Sequence, residues 1–529
     1  MKARPFLAAL LAVALAMLSF GLAGWWLLLQ RSPLALQHQA LAMPLAARFV
    51  PRTAPLSLHW LVGPDQPAAY ARAVAPPRQR RQAAAAADRL RDGAFAAAGL
   101  DYYSELSPWL GDESSFALLT PPGREEAPGW VLALRSRDND GARRFLQRFW
   151  QTRSLAGTDL QISSYRGIGV ISGQGALVGR DPQPLATALI DDDLLLVASG
   201  RGVLEQALDV SQLPDQHQLG DQRLQAQVAE LGEGVALLTA SPHALEHWLQ
   251  LPELVAQRDD LSGLVASLRP EGSTLAVDGR LWFRQSLGTD PWPGLTDLTA
   301  SAGGHARWLA QLQSPARLLD PSESHPLAQW LAPLLKQRLA DQPAADAVVG
   351  ADAGPLLWQE QPEGWLLATR PQSPARDAVD ARLQEQGLTR SELEGDGEVL
   401  SVWTRLVRQR GRQPGVDAQL AVAQVRSSAL NWWGESLMAL AQRQNGRALQ
   451  PRLNQWQELT ASSQPAQALL LADEPARALL GQWRPWALLQ VMAGRPLQDQ
   501  VRGLAVAVDV DRQEQGSTEI PLHARLELG

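Results

Sequence analysis

The sequence predicts an α+β protein in which an N-terminal transmembrane helix is followed by two duplicated modules of mostly antiparallel sheet with packed helices. Three observations predict it. Phe6 to Leu29 is an apolar run without a charge. A strand–turn–helix stretch occurs twice, first at Gly129-Trp130-Val131-Leu132-Ala133-Leu134-Arg135 and again at Gly364-Trp365-Leu366-Leu367-Ala368-Thr369-Arg370. Strands also pair locally as hairpins, as at Leu185 to Ile190 and Leu194 to Ser199 across Asp191-Asp192-Asp193, which favours antiparallel sheet with helices on one face over a doubly wound parallel sheet.

The apolar run comes first in the chain. Its 24 residues reach ~36 Å as a helix, enough for a ~30 Å hydrocarbon core. A cleaved signal peptide is the alternative, but its apolar part is shorter, and the nearest Ala-x-Ala, at Ala40 to Ala42, lies well beyond the run. Residues 1–30 are therefore expected to be a cytoplasmic tip and anchor, contacting the lipid bilayer through 6–29, with Trp25 and Trp26 in the outer headgroup layer. This is the pattern of a signal anchor on a single-pass membrane protein whose bulk is periplasmic or thylakoid lumenal. Residues 31–55, with Pro33 and Pro44, read as a stalk.

The repeat sets the remaining boundaries. The two Gly-Trp strands lie 235 residues apart (364 − 129). Ala236 to Pro242 recurs as Ala468 to Pro475, at offsets of 232 (468 − 236) and 233 (475 − 242), and Gly263-Leu264 recurs as Gly503-Leu504 at 240 (503 − 263). Agreement within a few residues predicts a first module at 56–285 and a second at 305–529, joined by a Gly/Pro-rich linker at 286–304.

Composition narrows the function classes. The 529 residues are 45% hydrophobic and 19% charged, as in ordinary globular proteins, and long enough for more than one core. A net charge of −7 argues against nucleic acid as a partner. The absence of cysteine excludes disulfides, zinc ribbons, iron–sulfur clusters and thiol catalysis together.

Several stretches carry a family resemblance when taken in order. They are Arg48-Phe49-Val50-Pro51 with Ala54-Pro55, Gly99-Leu100-Asp101-Tyr102, Trp109-Leu110-Gly111-Asp112-Glu113, and Ala142-Arg143 with Phe145-Leu146 and Phe149-Trp150. Together they resemble a family found in cyanobacteria and catalogued as domain of unknown function 3352. The resemblance covers nearly the whole chain and implies a membrane-attached protein without an assigned activity or catalytic residues.

Each candidate for chemistry has a structural rival. His243-Ala244-Leu245-Glu246-His247 matches the H-x-x-E-H pattern of a zinc hydrolase, with two histidines one turn apart and a glutamate to activate water. The rival is a plain helix start at Ser241-Pro242, and the repeat partner at Pro475 to Leu479 has no ligands. Asp191-Asp192-Asp193 lacks the spacing of a calcium loop, and Asp138-Asn139-Asp140-Gly141 sits where a helix cap belongs. Gly167-Ile168-Gly169 is followed by no helix, so it is not a dinucleotide fingerprint. Asp112 and Glu113, adjacent in an extended segment, point to opposite faces. Arg78, Arg80 and Arg81 form a basic patch or a solvated helix end, and Trp432-Trp433 forms a docking surface or core. No cofactor is expected. The functional expectation is a non-enzymatic binding or assembly factor that holds a protein or envelope partner in a cleft between the modules, with a zinc hydrolase or a lipid-handling module as alternatives.

Overall fold

The computed structural model describes residues 32–529 apart from 121–127, 156–157, 176–182, 288–291, 293–297, 300–302, 375, 396–397, 409–415, 461–464 and 510–517. The first half of the chain supplies β1 (Leu56–Trp60), β2 (Leu110–Leu119), β3 (Gly129–Ser136), β4 (Gln161–Tyr165), β5 (Ile168–Gly175), β6 (Gln183–Ile190), β7 (Leu194–Ala198), β8 (Ala236–Ala240), β9 (Leu261–Glu271) and β10 (Thr274–Phe283). The second half supplies β11 (Trp308–Leu312), β12 (Leu356–Gln361), β13 (Gly364–Thr369), β14 (Thr389–Gly395), β15 (Glu398–Arg408), β16 (Val416–Arg426), β17 (Asn431–Gly434), β18 (Pro465–Ala472), β19 (Val501–Asp509) and β20 (Glu519–Leu528).

Every pairing among these strands is antiparallel, and they form one continuous sheet of 20 strands. The first half runs β4-β5-β6-β7-β3-β2-β1-β8-β9-β10. The second half runs β20-β19-β18-β11-β12-β13-β17-β16-β15-β14. Adding ten to each strand number of the first half reproduces the second in reverse. The halves meet where β10 pairs with β20, from Thr274 opposite Glu527 to Trp282 opposite Glu519.

Unbroken apolar strands follow from burial on both faces. In β3, Val131 and Ala133 join a core with Leu204 and Leu208 of the helix Arg201–Val210, whereas Leu132 and Leu134 join one with Phe145 and Phe149 of the helix Asn139–Leu155. The second half repeats the arrangement, with Leu367 packed alongside Val379 and Leu383 of the helix Arg376–Glu385 and Leu366 alongside Leu449 and Trp456 of the helix Gly446–Thr460. Helices therefore cover both faces, not one. The hairpin between β6 and β7 turns through Asp191 and Asp192 at φ 46° and 63°, left-handed values that Asp tolerates better than most residues.

The expected architecture is corrected in four respects. The anchor at 6–29, with Trp25 and Trp26, lies outside the described residues, and among the described residues no helix is long and apolar enough to cross a membrane. The helix Arg80–Ala97 has the length, but Arg80, Arg81, Asp88, Arg89, Arg91 and Asp92 make it too polar to cross a membrane. The expected transmembrane fold class, signal anchor and single-pass location therefore have no support among the described residues.

The stalk is the second correction. Residues 33–50 pack onto the fold, with Leu36, Leu41, Ala46, Ala47, Phe49 and Val50 buried and Pro51 bridged to His217. The third concerns the linker, which lies mostly outside the described residues, while its Trp292 is 2% exposed in a core shared by both halves. Finally, in place of the expected cleft between the halves, the described residues show a shared core and a continuous sheet. The same core joins Leu245, Leu261 and Phe283 to Leu312, Leu318 and Leu327, and the sheet is continuous through the junction.

Candidate functional site

The seam between β10 and β20 carries a ladder of charge on one sheet face, because side chains two apart along a strand share a face. Asp278 stands directly opposite His523. The His523 Nδ1–H donates to Asp278 Oδ1 at 2.7 Å, and Nε2 lies 3.3 Å from Asp509 Oδ2 on β19. Arg525 Nη1 donates to the same Asp278 oxygen at 2.8 Å, while its Nε lies 3.4 Å from Glu271 on β9. Arg269 bridges Glu271 at 2.6 Å, Glu233 at 3.5 Å and Asp278 at 3.6 Å. Further along, Arg280 pairs with Glu230 at 2.6 Å and Glu519 at 3.1 Å.

This environment sets the protonation of its members. Burial works against a charged His523, but its bonds to Asp278 and Asp509 outweigh burial and push its pKa up to about 9. Burial would raise the Asp278 carboxyl, yet the bonds from His523 and Arg525 hold it down at about 2. The seam thus holds an imidazolium between two carboxylates at neutral pH.

A second polar cluster is sealed inside the first half. His59 on β1 is fully buried, with Nδ1 2.9 Å from Ser115 Oγ on β2 and Nε2 3.1 Å from Gln218 Oε1. Gln218 Nε2 donates to Thr239 on β8, whose hydroxyl lies 2.7 Å from Ser57 Oγ. Burial drives the His59 pKa down to about 4, so the ring is neutral. Because an amide oxygen only accepts, Nε2 carries the proton and Nδ1 accepts from the Ser115 hydroxyl. A serine paired with an imidazole is the chemistry of a nucleophile and its base. With Ser115 3% exposed, this pair faces the interior and not a substrate.

A third group is Asp352, fully buried, which accepts from the Ser373 hydroxyl and from the Gly354 N–H at 3.1 Å. Its other oxygen is buried without a hydrogen-bond partner among the described residues. Burial outweighs these bonds and raises its pKa to about 6.

The candidates read from sequence do not converge on these sites. His243 and His247 lie on the short helix Pro242–His247 with their rings stacked at 4.2 Å, and His247 Nδ1 donates to the His243 carbonyl at 3.1 Å. Glu246 lies 3.5 Å from that nitrogen. No group of three or more His, Asp or Glu side chains suited to a metal occurs among the described residues. Arg78, Arg80 and Arg81 are exposed at the start of the helix Arg80–Ala97, where Arg80 Nε donates to the Ala75 carbonyl. Glu113 accepts from the Ala46 N–H and pairs with Arg135, whereas Asp112 faces solvent.

Trp432 and Trp433 require a correction. They are 5% and 0% exposed on β17, and as adjacent strand residues they enter two different cores on opposite faces. They are structural and offer no docking surface. The seam itself left a faint trace in the sequence, the alternation His523, Arg525, Glu527, which marks one polar face of a strand. Its partner strand lies some 245 residues earlier, beyond the reach of local pattern.

Three crystal forms of TP0453 are similar to the chain. Form I is 13% identical, covering 47% of this chain and 80% of that chain at a TM-score of 0.28. Form IV is 11% identical, covering 46% and 81% at 0.25, and form III is 12% identical, covering 46% and 80% at 0.26. Likeness at these scores carries no argument about fold or activity. No curated protein matches the chain. The profile of one family matches residues 10–524, almost from end to end, and on that match the chain belongs to the family described as Protein of unknown function (DUF3352).

Proposed function

We propose that the chain is a non-catalytic binding or assembly protein, built from two copies of one ten-stranded module joined edge to edge. The observation that carries this reading is where the perturbed titratable groups are used. Perturbed groups often mark catalytic sites, but structural networks perturb them too. Here His59 ties β1 to β2, and Asp278 and His523 tie β10 to β20. These groups are spent on holding strands together, and the remaining one, Asp352, ties the loop before β12 to Ser373 after β13. The matching strand orders of the halves support the duplication, which fits the sequence modules at 56–285 and 305–529. The exposed Arg78, Arg80 and Arg81 patch, present in the first half only, is the surface feature we assign to contact with a protein partner. Nucleic acid does not suit a chain of net charge −7.

The test is a crosslinking pull-down with the full chain, paired with metal analysis of the same preparation. A stoichiometric protein partner, lost when Arg78, Arg80 and Arg81 are changed to Glu, supports the reading. One zinc per chain, removed by His247→Ala, overturns it in favour of metal chemistry.

A further inference from the structure

The 20-stranded sheet ends in two edges, β4 and β14, which occupy matching places in the two halves and pair on one side only among the described residues. Free edges are templates for pairing with other chains unless charge or a bulge protects them. β14 is protected by Arg390, Glu392 and Glu394, with Arg390 bonded to Asp380 and Glu392. β4 reads Gln161-Ile162-Ser163-Ser164-Tyr165 and has no charge at all. Leu155 and Ile162, seven residues apart in sequence on either side of the entry to β4, are 84% and 78% exposed, the most exposed large hydrophobic residues among those described. Of two equivalent edges, one is guarded and the other presents bare backbone with apolar residues beside it.

We propose that two copies of the chain associate through β4, paired antiparallel about a two-fold axis at Ser163. That register sets Gln161 opposite Tyr165 and Ile162 opposite Ser164 of the second copy, so no like charges meet. Beyond the strand the chain turns at Arg166 and Gly167, so the antiparallel arrangement brings Asp159, before the strand, to the same end as the turn residue Arg166 of the second copy, and the same complement repeats across the axis. Arg166 is 61% exposed while bonded to Asp209, which leaves its outer face open to that carboxylate. The corresponding pairing of β14 about Glu392 would set that carboxylate against itself. Antiparallel edge pairing is also how the molecule already joins its own halves at β10 and β20. The proposal is independent of whether the chain has a catalytic role. A strand of five residues with two apolar neighbours is a small interface, so the dimer is a weak one, with a dissociation constant of about 10 µM or higher.

The experiment is sedimentation equilibrium of the full chain from about 1 to about 200 µM, a range chosen to span that constant. A reversible monomer–dimer equilibrium is expected. Ile162→Lys, at an exposed position that leaves the melting curve unchanged, weakens it at least ~10-fold, a loss of ~1.4 kcal/mol. Leu393→Lys on β14 does not. Because the chain has no cysteine, the double variant Ile162→Cys/Ser164→Cys, at exposed positions that face each other across the axis, supplies an independent readout, and oxidation should lock it as a disulfide dimer while Ser391→Cys/Leu393→Cys, the corresponding pair on β14, stays monomeric. A monomer at every concentration without a disulfide dimer of Ile162→Cys/Ser164→Cys overturns the proposal. So does a dimer indifferent to Ile162→Lys, or a foreign peptide held on β4 by a chain that stays monomeric.

Discussion

His523 shows how a single residue can bind two halves of a sheet. Its ring lies between carboxylates from β10 and β19, and Asp278 serves both His523 and Arg525. Removing the shared acceptor takes one carboxylate from each of two cations, leaving His523 with Asp509 and Arg525 with Glu271, and breaking a buried pair on one side costs about 3–5 kcal/mol. Partial exposure at 17% for the Asp278 side chain places the expected loss toward the lower end. Asp278→Asn should therefore lower the stability of the full chain by about 3 kcal/mol in denaturant titration. A change within ~0.5 kcal/mol, the range of ordinary surface substitutions, would mean that the ladder is decorative. Little of this site was legible in the sequence. His523 and Asp278 are unremarkable in their local context, and the pairing that gives them meaning is set by the β10–β20 register. The literal H-x-x-E-H match was legible, yet its histidines stack on each other instead of converging on a third ligand.

Elements were more readable where their cause is local. The Gly-Trp strands β3 and β13, the hairpin through Asp191 and Asp192 and the helix start at Pro242 all follow from neighbouring residues. The helices on the second face, the packed segment 33–50 and the burial of Trp432 and Trp433 depend on partners far along the chain. Trp433→Ala should cost about 3–5 kcal/mol, as for a large core truncation, whereas a docking tryptophan would leave stability nearly unchanged. Helix contact across the halves offers a sharper test. The helices Arg80–Ala97 and Arg484–Ala493 approach so closely that a Cβ placed at Gly93 would lie 1.9 Å from the Met492 carbonyl oxygen. Alanine is the better helix former, by up to about 1 kcal/mol, so Gly93→Ala would stabilise an isolated helix. Here backbone must move, and overpacking costs about 1–3 kcal/mol. Thermal denaturation of Gly93→Ala should therefore show net destabilisation, and a raised melting temperature would rule the close approach out.

For the whole molecule, His59 and His523 pull stability in opposite directions with pH, and their balance sets an optimum. His59 has a folded pKa of about 4, below its unfolded value of 6.5. The stability from keeping it neutral is fully present above pH 6.5 and is lost as pH falls toward 4, because the unfolded chain takes up a proton that the folded one refuses. His523 has a folded pKa of about 9, so its contribution is complete below pH 6.5 and is lost as pH rises toward 9. Asp278, held at about 2, adds a further loss below pH 3.8. Each histidine shift corresponds to a few kcal/mol. Asp352, raised from 3.8 to about 6, works against the acid limb, because its contribution is complete below pH 3.8 and is lost as pH rises toward 6. The seam and the sealed cluster at β1 thus predict a stability maximum near pH 6.5 with a shallower acid limb and a steeper alkaline one. Denaturant midpoints measured from pH 3 to 10 should fall on both sides of that maximum. His523→Gln should flatten the alkaline limb and leave the acid limb in place, and His59→Gln should flatten the acid limb between pH 6.5 and 4 while leaving the alkaline limb and the Asp278 loss below pH 3.8. If one variant flattened both limbs, the two clusters would not be the independent determinants that their separation in the sheet requires.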